Sequence, residues 1–210
     1  MFSISKVLPD HEIYHCLFKN HDVMCFALMR ILHAEATSAT YVLTLERCIL
    51  DHISKYGKFD YPSKWSGFSI PSECVIEFYH NYQNSLGEAE QIFFKKLAKK
   101  IPHWQDGIYS LIASKSSYNI LNHEIAHGLY YTCDEYEKGM NDLLRQTTCR
   151  RKLKTQLGRL GYHHSCVDDE IQAYLATSSD LALYDIFKVG KIAEYAQPFK
   201  RLFRSYRYGY

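Results

Sequence analysis

At 210 residues, with 47% hydrophobic and 23% charged residues, the chain is long enough to bury a core and has an ordinary globular composition, so nothing points to a fibre, a repeat array or a disordered tail. A formal charge of +2 lacks the domain-wide basic bias of a nucleic-acid binder, so no nucleic acid is expected, and Arg150-Arg151-Lys152-Lys154 and Lys200-Arg201-Arg204-Arg207 read as solvated helix faces. No run approaches the roughly 18 apolar residues of a membrane span, and seven scattered cysteines without a C-x-x-C pair argue against both a disulfide framework and a thiolate zinc site.

The expectation is therefore a cytoplasmic, reducing working place, with no membrane span. The first residues lack a charged region followed by an apolar leader. Delivery into a host cell by a dedicated secretion system, as for a bacterial effector, would leave no mark of that kind.

In chain order, residues 22–34 and about 44–55 have helical spacing, whereas Thr40 to Leu45 is β-branched and apolar and fits a strand equally well. Pro62, Gly67 and Pro71 punctuate a loop-rich stretch in which residues 67–70 form a short strand. Leu86 to Lys99 reads as an amphipathic helix ended by Pro102. Ile108 to Ala113 is a compact β-favouring run, and the hydroxyls between Ser114 and Ser117 can cap a helix starting near Tyr118. Helical patterns resume at 134–147 and 149–159, break at Gly158 and Gly161, and restart near Val167 behind Ser165 as N-cap. The aromatic-basic tail, with Phe199, Leu202, Phe203 and Tyr206 at helical spacing, reads as a docked terminal helix.

The helix near Tyr118 carries the chemistry. His123 and His127 lie four apart, so on a helix they share a face and can grip one metal ion, with Glu124 beside them as the non-ligand general base. Ile120, Leu121, Ile125 and Leu129 make that helix apolar enough to be buried. The bare H-E-x-x-H pattern is weak, since His11, Glu12 and His15 repeat it near the start of the chain. There it follows Pro9-Asp10 with no β-favouring run ahead, and it is expected to be accidental. The remaining histidines are isolated.

A catalytic zinc site needs a third protein ligand. Glu170 is the best candidate, because it opens a helix whose Val167, Ile171, Tyr174 and Leu175 supply a buried face, and a carboxylate on such a helix is easier to understand when bound to a cation. Asp168, Asp169, His163 and His164 compete for the role. A metzincin pattern is excluded, since Tyr130 and Cys133 stand where its glycine and third histidine belong.

At these residues the chain resembles the gluzincin branch of the zincin metallopeptidases, in which H-E-x-x-H is followed some tens of residues later by a ligand glutamate. The spacing from His127 to Glu170 is 43 residues. In outline it is similar to lethal-factor-like catalytic domains, where a strand precedes the motif helix and a tyrosine stands shortly before the ligand glutamate. The resemblance spans about 108–178 and implies Zn2+ on His123, His127 and Glu170, Glu124 as base, and Tyr162, or its neighbours His163 and His164, as oxyanion stabiliser. The first hundred residues match no pattern.

The resulting expectation is an α+β, zincin-like fold: a small mixed sheet packed on the motif helix, then a mostly helical second half. It is one catalytic domain over 1–210, with an N-terminal part of open role at 1–107, a metal-site core at 108–178 and an aromatic-basic segment at 179–210. The function expected is a metallopeptidase acting on a protein or peptide substrate; the alternative is a non-catalytic binding or regulatory module on the same scaffold.

Overall fold

The computed structural model describes residues 2–37, 44–60, 67–114 and 118–209. It is an α+β protein with a small mixed sheet and a preponderance of helix. The chain divides into two compact units, Met1–Ser117 and Tyr118–Tyr210. None of the described helices is long and apolar enough to cross a membrane, and the seven cysteines form no disulfide.

The first unit holds the sheet. Strands β1 (Phe2–Leu8) and β2 (His11–Phe18) form an antiparallel hairpin across Pro9-Asp10. The sequence reading names no element before residue 22, yet Phe2 and Ile4 alternate with Ser3 and Ser5, the period of a half-buried strand. β2 pairs in parallel with β4 (Ser110–Ser114), and β4 pairs antiparallel with β3 (Gly67–Pro71), giving the order β1-β2-β4-β3. The expected run at 108–113 starts and ends slightly later, and all five residues of β4 are buried.

Helices α1 (His21–Thr37), α2 (Leu45–Tyr56), α3 (Ser72–Tyr82) and α4 (Glu88–Lys100) complete this unit. Of the ambiguous stretch Thr40 to Leu45, residues 40–43 lie outside the described residues, as do Pro62 and residues 115–117 of the expected serine cap. Thr44 caps α2 by accepting from the Arg47 amide at 3.1 Å. At the other end of α2, Gly57 takes φ +77°, a left-handed cap that glycine adopts without a Cβ penalty. The core is aromatic: Phe2 stacks on Phe18 at 4.5 Å, and Trp104 packs against Phe94 and Tyr79. Its one fully buried ion pair, among the described residues, is Arg30 to Glu90 at 2.7 Å; the same Glu90 oxygen accepts from the Gly87 amide at the start of α4, the glutamate half of a capping box.

The second unit is helical among its described residues: α5 (Tyr118–Thr132), α6 (Asp134–Gln146), α7 (Arg150–Arg159), α8 (Val167–Thr177), α9 (Asp180–Phe187) and α10 (Ile192–Tyr208). α8 is central, packing on α5, α7 and α10. The tail forms α10; of the expected apolar positions Phe199 and Phe203 are buried and Leu202 and Tyr206 half-buried, and Ile192 and Ala196 extend the buried face. The expected break at Gly161 is real, since it takes φ +96° after α7, whereas Gly158 stays inside that helix. The expected Ser165 cap of α8 is not formed. Cys166 occupies the N-cap position without a side-chain bond, and the Ser165 hydroxyl pairs instead with His163 Nδ1 at 2.8 Å.

Candidate metal centre

His123 and His127 lie one turn apart on α5, with Nε2 atoms 3.2 Å apart and rings nearly perpendicular. Ile125 and Leu129, roughly opposite on the helix, are fully buried and hold α5 in place. A second helix supplies the rest.

Three consecutive acids open α8, where the positive end of the helix dipole favours them. Successive residues on a helix diverge by about 100°, so the three carboxylates go to three different places. Asp168 turns to Arg150 and Lys154, each 2.8 Å from its Oδ2; although burial acts to raise its pKa, these two cations hold it below the ordinary range. Asp169 sets Oδ1 2.8 Å from His127 Nδ1. Glu170 aims Oε2 between the two imidazoles, 3.7 Å from His123 Nε2 and 3.8 Å from His127 Nε2.

His123, His127 and Glu170 are thus the one group among the described residues whose His, Cys, Asp or Glu donors converge in threes. The donor triangle measures 3.2, 3.7 and 3.8 Å. Three ligands about 2.1 Å from a tetrahedral ion stand about 3.4 Å apart, so the residues fit a zinc-sized cation. Glu170 Oε2 is buried and has no hydrogen-bond partner, a lone pair taken out of water without compensation. His127 Nδ1 lacks a well-angled hydrogen bond, but Asp169 Oδ1 at 2.8 Å is close enough for its charge to draw a proton to that nitrogen.

The electrostatics point the same way. Burial acts to lower the His127 pKa, but Asp169, Glu170 and Glu124 together push it up to about 10. A buried imidazole that holds its proton so firmly marks a place where positive charge is strongly favoured. Glu124 is 8% exposed, and its burial raises its carboxyl above the ordinary range, against the pull of both histidines.

Of the competing ligands, Asp168 is taken by Arg150 and Lys154, and Asp169 stands behind His127 on the side away from Nε2. His163 and His164 lean on each other at 4.0 Å with their rings tilted by 41°, and are exposed. Tyr162 donates no contact to the donor triangle directly; its hydroxyl lies 2.9 Å from that of Tyr174, and the Tyr174 ring packs 4.7 Å from His123. Burial, then Glu170, keeps the Tyr162 hydroxyl protonated far into the alkaline range.

The first H-E-x-x-H copy lies on β2, where His11 and His15 are about 13 Å apart along an extended strand and cannot share an ion. His15 Nε2 instead meets Ser114 Oγ at 2.9 Å, and burial lowers its pKa. Sequence reasoning passed over the roles of Asp169, Gln172 and Tyr174. Their signals were offsets: Tyr174 stands four after Glu170, and Gln172 three after Asp169, both one helical turn.

The chain matches no family model, none of the curated proteins and no solved structure.

Proposed function

We propose that this chain is a zinc-dependent metallopeptidase of zincin-like, gluzincin-like architecture, hydrolysing a peptide bond in a protein or peptide substrate. The observation that carries the reading is the triangle of His123 Nε2, His127 Nε2 and Glu170 Oε2, 3.2 to 3.8 Å on a side, with its orphaned carboxylate oxygen. Bound there, zinc would polarise a substrate carbonyl and acidify water toward neutrality.

The remaining work falls to side chains. Glu124, one residue along α5 from His123, takes a proton from the attacking water and returns it to the leaving amine; burial shifts its carboxyl upward, the direction that makes it the better base. Tyr162, with its proton held, donates a hydrogen bond to the oxyanion formed at the carbonyl, in concert with Tyr174 to which it is bonded. Cysteines held as thiols accord with work in a reducing compartment, including that of a host cell.

The test is metal content by elemental mass spectrometry on tag-free protein. About one zinc per chain is expected in wild type and in His11→Ala, with loss in His127→Ala and Glu170→Ala. Absence of zinc from the wild type would sink the reading. Glu124→Gln separates peptidase from non-catalytic module: it retains zinc in both, and abolishes peptide hydrolysis only in a peptidase.

A further inference from the structure

Behind the donor triangle lies a buried polar chain that no ligand role requires. Gln172, fully buried on α8, donates from Nε2 to Asp169 Oδ1 at 2.9 Å and to the Ala126 carbonyl of α5 at 3.3 Å, and its Oε1 accepts from the Tyr136 hydroxyl of α6 at 3.1 Å. Tyr136 is itself fully buried, its ring edge-on to Tyr206 at 5.2 Å.

We infer that Gln172, held by Tyr136, is a positioning residue that fixes the Asp169 carboxylate against His127 and thereby sets the direction of His127 Nε2 toward the metal. The inference rests on the zinc reading above and extends it beyond the three ligands.

The orientation of the Gln172 amide is forced. Both groups facing Nε2, a carboxylate oxygen and a backbone carbonyl, can only accept, so the reversed amide would set oxygen against oxygen twice. The amide therefore pins Oδ1 of Asp169, and that same oxygen stands 2.8 Å from His127 Nδ1. A carboxylate so placed favours the imidazole with its proton on Nδ1, leaving the Nε2 lone pair for the cation. The bond to Ala126, one residue before His127, ties the α5 backbone to the same amide. Ring and backbone of the ligand histidine are thus referred to one buried side chain.

Gln172→Met keeps length and volume while removing every polar contact. The decisive measurement is zinc affinity by chelator competition, paired with the Co(II) absorption spectrum and with thermal unfolding of the metal-free protein. Gln172→Met and Asp169→Asn are each expected to weaken zinc about tenfold or more with all three ligands intact, and the double variant to be no worse than the weaker single, as for two members of one chain. Tyr136→Phe, which deletes one hydroxyl, should weaken zinc less and shift the Co(II) bands the same way. If Gln172→Met does not fold, Tyr136→Phe and Asp169→Asn carry the test.

Wild-type zinc affinity in Gln172→Met or in Asp169→Asn overturns the inference, as do additive effects in the double variant. Lowered metal-free stability with unchanged zinc affinity would make Gln172 a packing residue only. A wild type without stoichiometric zinc removes the metal reading and this inference together, whereas zinc binding that ignores Gln172 removes this inference alone.

Discussion

The two units solve the problem of buried polarity in opposite ways. In the first, buried charges are matched in pairs: Arg30 finds Glu90 at 2.7 Å and lies over the faces of Phe78 and Tyr82, and His52 meets Asp60 at 3.0 Å. The charges there cancel inside the protein. In the second, Glu124, Asp169 and Glu170 converge on two histidines, three carboxylates to two imidazoles; Glu170 Oε2 has no hydrogen bond, as is true of Glu90 Oε1 in the first unit, so the difference lies in the charge count. A cluster with more carboxylates than imidazoles has room for a cation, and the contrast teaches that an unbalanced buried cluster, rather than buried charge as such, is what singles out a candidate site.

The largest effect should come from Glu124→Gln, which strikes the second unit's chemistry and spares its metal. Hydrolysis of a peptide library is expected to fall by about 10²- to 10⁴-fold, with zinc content unchanged by elemental analysis. Next is Arg30→Met, which would strand Glu90 in the first unit and lower stability by about 3 to 5 kcal/mol by urea denaturation. Arg30→Met with Glu90→Gln should recover much of that loss, since glutamine still offers an oxygen to the Gly87 amide. A double variant as unstable as the single would erase the proposed difference between the units.

Metal removal comes third. Zinc at about a hundred times its Kd should stabilise the protein by about 2.7 kcal/mol, read as a drop in the circular-dichroism melting midpoint on adding a chelator. No drop would mean that the second unit's cluster is balanced without an ion.

Alkaline pH reaches the buried thiols of the first unit, alongside His127 and the raised thiols of the second. Burial raises the thiol of Cys16 to about 12 and those of Cys25 and Cys48 to about 11, from an ordinary value of 9.0. Their folded-state pKa values lie above the unfolded one, so this stability is complete below pH 9 and is lost as pH rises through 9 toward 11 and 12. The slope is at most about 1.4 kcal/mol per pH unit per thiol. Urea midpoints between pH 8 and 10.5 should fall accordingly, and Cys16→Ala should flatten the slope. The smallest effect is Gly57→Ala, about 1 kcal/mol, because alanine is strained at φ +77° in the α2 cap.

Several features could be read from local pattern. The helical spacing of His123 and His127, the amphipathic faces of α4 and α10, the β-favouring run that became β4 and the α+β class depend on neighbours within a turn or a few residues. The His123, His127 and Glu170 grouping was equally visible, because the first two share a helix face and the third opens the next apolar-faced helix after a break. Less accessible was the difference between two copies of one pattern: His11 and His15 sit on a strand paired on one side with its hairpin neighbour, Ser5 opposite His15, and on the other with Ile112 from a distant part of the chain.

What the sequence by itself determined, then, was which residues make up the candidate ligand set, since side-chain chemistry and a one-turn spacing are local properties. Which of three adjacent acids meets the histidines was decided only by tertiary structure. Asp168, Asp169 and Glu170 are nearly equal in chemistry, and their roles follow from the angle at which α8 lies against α5 and α7, which put Arg150 and Lys154 beside the first, His127 Nδ1 and Gln172 beside the second, and both Nε2 atoms before the third.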